Sequence, residues 1–271
     1  MPAPSAAERQ QVLATVATAA RRELEAVWSK LNHGKPADLA PTLAEVLAAI
    51  ADRYGAAAAS LAADWYDQAR LDAGAPGRFT AQLAPAPSQD RLDVLARWGI
   101  GPLFGADPSP VAALSLLAGG MQRLVLDQAR DTTASSVAAD PAKPRYARHA
   151  SANACAFCAL LASRGPVYHS EASALTVGGR GTDVATNVGR TRGRKAQGVK
   201  PRGTQALGDR YHDDCHCTAV EVFPGQHYDA APYVAEWDAA YVRATKATAK
   251  SGEAIDLSKV LAHMRQDLGL A

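Results

Sequence analysis

The chain has 271 residues, 48% of them apolar and 21% charged, with a net charge of +2. This balance excludes a strongly charged disordered chain, and with no uninterrupted apolar run of about eighteen residues a membrane role is not expected. The segment 1–10 carries Pro, Ser and Glu where a signal peptide has a basic end and an apolar run, so no export signal is read there.

In chain order, the first 140 residues are rich in alanine and read as helices. Ser5 and Glu8 form a capping-box pattern. The stripe Leu13, Val16, Ala20, Leu24, Val27 and Leu31 then repeats every three or four positions as far as a stop at Asn32-His33-Gly34. A second long helix is expected from Pro41-Thr42, with Leu43, Val46, Leu47, Ile50, Tyr54, Leu61 and Trp65 on one side. These two should pack as an antiparallel hairpin. Residues 74–88 are Gly-, Ala- and Pro-rich and read as a loop. Ser88 to Trp98 is a shorter helix, broken by Gly99-Ile100-Gly101-Pro102, and Pro108 to about Ala138 a longer one in which Gly119-Gly120 marks a bend. Trp28, Trp65 and Trp98 are read as core anchors.

Asp140 to Pro144 looks like a boundary, after which a compact mixed unit begins. It should hold a short helix over Ala156 to Ser163, a short strand over Pro166 to His169 and a better one over Cys217 to Phe223, where Val220 and Val222 alternate against Glu221. After it comes a tail with two amphipathic stripes. One is Tyr233, Val234, Trp237 and Tyr241, and the other Leu257, Val260, Leu261 and Met264; both call for a partner inside or outside the chain. The expected organisation is thus a mainly α protein with a helical domain over 1–140, a small α+β central unit over 141–225 and a C-terminal helical tail over 226–271.

The charge is uneven. Residues 1–140 hold twelve basic and fifteen acidic side chains, residues 141–220 twelve and five, and residues 221–271 five and seven. Most of the central excess lies in 176–205, where Arg180, Arg190, Arg192, Arg194, Lys195, Lys200 and Arg202 stand among glycines with one acid, Asp183. A chain of this kind can follow a phosphate backbone without reading bases, or order against an acidic protein surface; no aromatic residue interleaves to stack on bases.

All four cysteines fall in two clusters, Cys155-Ala-Phe-Cys158 and His212-Asp-Asp-Cys215-His216-Cys217. A C-x-x-C turn presents two thiolates to one point, and H-x-x-C-x-C can complete a closed tetrahedral zinc site. On an extended strand Cys215 and Cys217 face one way and His216 the other, so His216 is the least suited ligand. Five candidates compete for four places: Cys155, Cys158, His212 and Cys215 form the preferred set, with Cys217 in reserve. Two disulfides or four buried thiols are the alternative.

A closed site of four protein ligands argues for structural Zn2+ and against catalysis. A zinc deaminase would need His-x-Glu ahead of Pro-Cys-x-x-Cys, whereas His169-Ser-Glu171 follows Cys155. A zinc-stapled nuclease of the HNH kind would use His212 to activate water beside a phosphate-bound metal. That is the second reading, and it fails if His212 is a zinc ligand.

The stretch Ala-Cys-Ala-Phe-Cys-Ala-Leu-Leu-Ala-Ser-Arg-Gly-Pro-Val-Tyr at 154–168, followed by Tyr-His-Asp-Asp-Cys-His-Cys at 211–217 and a strand ending at Phe223-Pro224, resembles the minor head proteins of tailed bacteriophages related to the phage Mu F protein, in the form carried by actinobacteriophages. The resemblance covers about residues 145–224. Members often read His-Pro-x-Cys-Arg-Cys at the second cluster; here the Pro and Arg are missing while the histidine and both cysteines are kept. The resemblance implies a non-enzymatic virion component, made in the host cytoplasm during head assembly and associated with the portal or the major capsid protein, with packaged DNA in reach of the basic loop. Neither a small-molecule substrate nor a membrane is implied.

Overall fold

The computed structural model describes residues 2–33, 35–104, 106–168, 176–178, 204–206, 214–248 and 256–270. They form a mainly α protein with a small two-stranded sheet beside the cysteines.

Helix α1 spans Ala6–Trp28, and Ser5 caps it as expected: its hydroxyl accepts from the Glu8 amide at 3.3 Å, while the Glu8 carboxylate accepts from the Ser5 amide at 2.8 Å. The next helix begins at Pro36, earlier than Pro41, because proline at the first helical position gives up only an amide that has no partner there. Helix α2 (Pro36–Ile50) continues through one π-helical turn (Ala51–Gly55) into α3 (Ala56–Asp72). The hairpin with α1 is antiparallel: the Ala3 amide donates to Asp72 at 2.8 Å near one end, and Arg53 and Tyr54 reach Glu23 further along. By length and composition the 37 residues Pro36–Asp72 could cross a bilayer, a property missed by looking only for an unbroken apolar run. Leu39, Leu43, Leu47 and Ile50 of this helix instead pack into the shared core.

Helix α4 (Gln89–Gly99) leads through a 3-10 turn (Gly101–Leu103) to the 30-residue α5 (Pro110–Ala139). Helix α5 is the axis of the molecule, and α1 and α3 make their most extensive contacts with it. Each fully buried Leu or Met here, such as Leu24, Leu43, Leu117 and Met121, contributes about 1.5–3 kcal/mol of burial. The helix runs unbroken past Gly119-Gly120. Gly120 serves close packing: a Cβ there would collide with Leu95 of α4. Gly55 does the same for Gln128, whose amide donates to the Ala51 carbonyl at 3.2 Å within the π turn. Such a turn disturbs the regular ladder and leaves a carbonyl open to a side-chain donor.

Of the three tryptophans expected in the core, Trp28 is buried and Trp65 half-buried against it, but Trp98 is 48% exposed. It lies on the outer face of α4, whose inner face is filled by Leu92 and Ala96.

The cysteine-bearing half lies against α5 and α1. Strand β1 (Arg145–His149) pairs antiparallel with β4 (Thr218–Val222), Arg145 opposite Val222 and His149 opposite Thr218. The expected strand over Pro166 to His169 reduces to a single bridge between Tyr168 and Tyr146, with His169 outside the described residues. The alternation expected in β4 is absent, because both faces are covered: Val220 is buried as expected, but Glu221 is buried too and receives a 2.7 Å hydrogen bond from Arg9 of α1, while Val222 is only half-buried. Helix α6 (Ala156–Ala162) follows β1. The segment read as a loop contributes strands β2 (Thr176–Gly178) and β3 (Thr204–Ala206), paired antiparallel. Its basic residues lie outside the described residues. Helices α7 (Val234–Thr248) and α8 (Leu257–Leu268) find their partner inside the chain, packing Trp237, Tyr241, Val260 and Met264 over α6 and the cysteines.

Candidate metal centre

The cysteine cluster is assembled from two directions. Cys155 is the N-cap of α6, its sulfur accepting from the Cys158 amide at 3.5 Å, which sets Cys158 one turn into the helix and facing inward. From the other side Asp214 takes a left-handed conformation (φ 59°), tolerated by Asp, and turns the chain into Cys215-His216-Cys217. Cys215 and Cys217 then both point inward, at 2% and 3% exposure, and His216 points out, its ring beside Gln122 at 3.1 Å.

The sulfurs of Cys158, Cys215 and Cys217 lie within 4.8 Å of one another, and those of Cys158 and Cys215 are 3.5 Å apart. Zinc–thiolate bonds in a tetrahedral site imply sulfurs about 3.8 Å apart, so the three thiols fit a metal of that kind. None of the four cysteines is in a disulfide, so the two-disulfide alternative is not what the structure has. Cys217, held in reserve on sequence grounds, belongs to the buried trio; Cys155 stands at its rim and hydrogen-bonds with Cys158. His212, which was preferred, lies outside the described residues, as do Arg180, Arg190, Arg192, Arg194, Lys195, Lys200 and Arg202.

The electrostatics favour one thiolate in the trio. Hydrogen bonds from the Cys158 and Cys217 thiols hold Cys215 well below the usual thiol range, with help from the nearby Arg130 guanidinium and the Cys217 amide. Contacts with Cys155, Cys215 and Cys217, together with burial, push the Cys158 thiol far up. Protons shared in this way leave when a cation takes their place.

Arg130 is the residue that sequence reasoning missed. It sits on α5 at 2% exposure, donates from Nε to the Cys217 carbonyl at 2.8 Å and from Nη2 to the Cys215 carbonyl at 2.7 Å, and ion-pairs with Asp127 at 3.0 Å. It holds both ends of the C-x-C turn to the helical frame and brings a buried positive charge to a group of thiols. In sequence it reads as one more charged residue on a long helix, and nothing local distinguishes it.

Arranged like this, buried under α6, α7 and α8, the cluster can hold a cation and tie two chain segments together, α6 and the turn before β4. The comparisons with known proteins bear on the whole of this assembly: the profile of a family described as VG15 protein matches residues 1–244, from before α1 to within α7. No curated protein and no solved structure matches the chain.

Proposed function

A match over residues 1–244 of 271 makes the chain a member of the VG15 protein family, a viral gene-product family that points to a phage-encoded protein, and from that premise we propose that it is a structural head protein of a tailed phage, related to the Mu F-like minor head proteins and built around a structural zinc. Family membership supplies the viral setting. The resemblance at 154–168 and 211–217 supplies the head role. The observation that carries the proposal is the buried trio Cys158, Cys215 and Cys217, with Cys155 beside it. Thiols enclosed by three helices suit a closed structural site better than one that admits substrate. Cys155 or His212 completes the ligand set, and the bound metal would fix α6 to the turn that precedes β4. The protein then works by holding neighbours in place at the portal or the inner capsid surface, with the basic stretch 176–205 set against packaged DNA or an acidic partner.

The test uses particles of the phage or prophage that encodes the chain. Density-purified heads, tailless heads and tails are separated and probed by mass spectrometry, and the purified protein is assayed for plasmid nicking with magnesium, manganese or nickel. The chain should be found in heads at a few copies and should cut nothing. Its absence from particles, together with nicking that His212→Ala abolishes, would replace this reading with the nuclease.

A further inference from the structure

A tetrahedral cation takes four ligands, and the buried trio supplies three. Among the described residues, the donor atoms that lie within 4.8 Å of one another are the sulfurs of Cys158, Cys215 and Cys217, with no histidine and no carboxylate in the group. Cys155 stands beside it. Its sulfur hydrogen-bonds with that of Cys158 and also accepts from the Cys158 amide at 3.5 Å, which holds it over the first turn of α6.

The two cysteine turns are built alike. In Cys155-Ala-Phe-Cys158 the amide of the second cysteine donates to the sulfur of the first, and in Cys215-His216-Cys217 the Cys217 amide donates to the Cys215 sulfur at 3.4 Å. A sulfur that accepts a backbone amide is better able to carry negative charge, and metal ligands are commonly steadied by such bonds. Cys215, the sulfur so held in one turn, already belongs to the trio. Cys155 is its counterpart in the other.

We propose that Cys155 is the fourth ligand, so that the cation sits among four sulfurs from Cys155, Cys158, Cys215 and Cys217, and that His212 is not a ligand. The inference deepens the structural-zinc reading and rests on it. Four thiolates select a thiophilic ion such as zinc, cadmium or cobalt over a hard one such as magnesium. Cys158, Cys215 and Cys217 are at most 3% exposed whereas Cys155 is half-buried, so the site meets water at the Cys155 corner. His212 is then not occupied by the structural metal, and the nicking assay alone decides the nuclease reading.

The test uses the full chain under reducing conditions, loaded with zinc or with cobalt(II). Wild type and His212→Ala should each hold the metal, with the same thiolate-to-cobalt absorption and the same zinc affinity in competition with a chelator. Cys155→Ala should lose about a quarter of that absorption, one sulfur of four. Its zinc affinity should fall by about a hundredfold or more, the upper end of what losing a mere neighbour of a ligand costs. Alkylation by iodoacetamide, mapped by mass spectrometry on the wild type, needs no variant to fold. Cys155 is the one sulfur of the four that is not buried, so as a ligand it should resist the reagent until a chelator strips the zinc. Alkylation of Cys155 while zinc stays bound, or loss of zinc or altered cobalt absorption in His212→Ala, overturns this inference and leaves the structural zinc standing. A wild-type chain that takes up neither metal overturns both.

Discussion

The helical frame around α5 and the cysteine-bearing cap around α6 are held together by different forces. In the frame Leu24, Leu43, Leu47, Ile50, Leu117 and Met121 are at most 2% exposed and form one continuous apolar core. In the cap the interior mixes Leu160 and Leu161 with many short side chains, Ala156, Ala159 and Ala162 beside Cys158, Cys215 and Cys217, and Trp237, Tyr241 and Met264 close over it. Alanine and cysteine gain less from burial than leucine, so a cap this rich in them depends more on its thiols and on the Arg130 clasp. The frame should therefore survive losses that dismantle the cap.

The largest expected effect follows Cys158→Ser or removal of the metal by a chelator. On the proposed zinc reading, the purified protein should hold about one zinc per chain by elemental analysis and lose it here, and with it most of the roughly 10 kcal/mol or more that a structural zinc lends to its site. Hydrogen exchange should show α6, α7 and α8 unprotected while α1, α3 and α5 stay protected. Simultaneous loss of both regions would show that they are one cooperative unit and end the comparison.

Next in size is Arg130→Met. The change leaves the Cys215 and Cys217 carbonyls without their buried donor and Asp127 without one of its cations, at a cost of about 3–5 kcal/mol, measured by urea unfolding. Zinc should still bind, with affinity lower by about tenfold to a hundredfold in competition with a chelator. An unchanged affinity would mean that Arg130 serves the frame alone.

Gly120→Ala probes the frame by itself. A methyl group there meets Leu95, and overpacking of this kind costs about 1–3 kcal/mol. The thermal midpoint should drop while zinc content stays the same. A drop in zinc content would show that strain at α4 reaches the cap.

The smallest effect concerns the seam between the regions. Burial holds the Glu221 carboxyl above its ordinary value of 4.5, against the pull of Arg9. Just above that value the folded chain holds more protons than the unfolded one, so stability falls as pH rises through the interval up to the folded pKa. Glu221→Gln should flatten that slope in urea midpoints collected from about pH 4 to pH 7, with little change in helix content. A slope that persists would assign it to another group.

What could be read from sequence divides along the same line. Helices α1, α4 and α5 were legible because capping residues and a 3.6-residue stripe are local signals: Ser5 caps α1 as its pattern with Glu8 predicts, and the structure adds Ser88 and Ser109 as caps of α4 and α5. The two cysteine motifs were legible as one site because spacing alone limits what a C-x-x-C and a C-x-C can do. Strand β1 was not, since Arg145, Arg148 and His149 break any apolar alternation, although Arg148 and His149 are buried once the fold forms. The burial of Glu221 was missed for a related reason. A carboxylate reads as outward, and the arginine that makes its burial tolerable stands 212 positions earlier. Trp98 failed in the opposite direction, a large apolar residue left in solvent. Only the folded chain shows which charges have met a partner and which apolar groups have not.

The link between Arg9 and Glu221 also sets an order of events during synthesis. The first helix leaves the ribosome with its Arg9 guanidinium ready, but the strand that receives it emerges some two hundred residues later. Helices α1 to α5 can close on one another as the chain grows, because their contacts lie within the first 140 residues. The edge of α1 that meets β4 stays open to water and to passing chains until residues 218–222 have emerged. Closure of that seam is a late, long-range step, slowed by the length of chain it must span, and a nascent chain stalled before residue 221 would carry a formed bundle with an unsealed side.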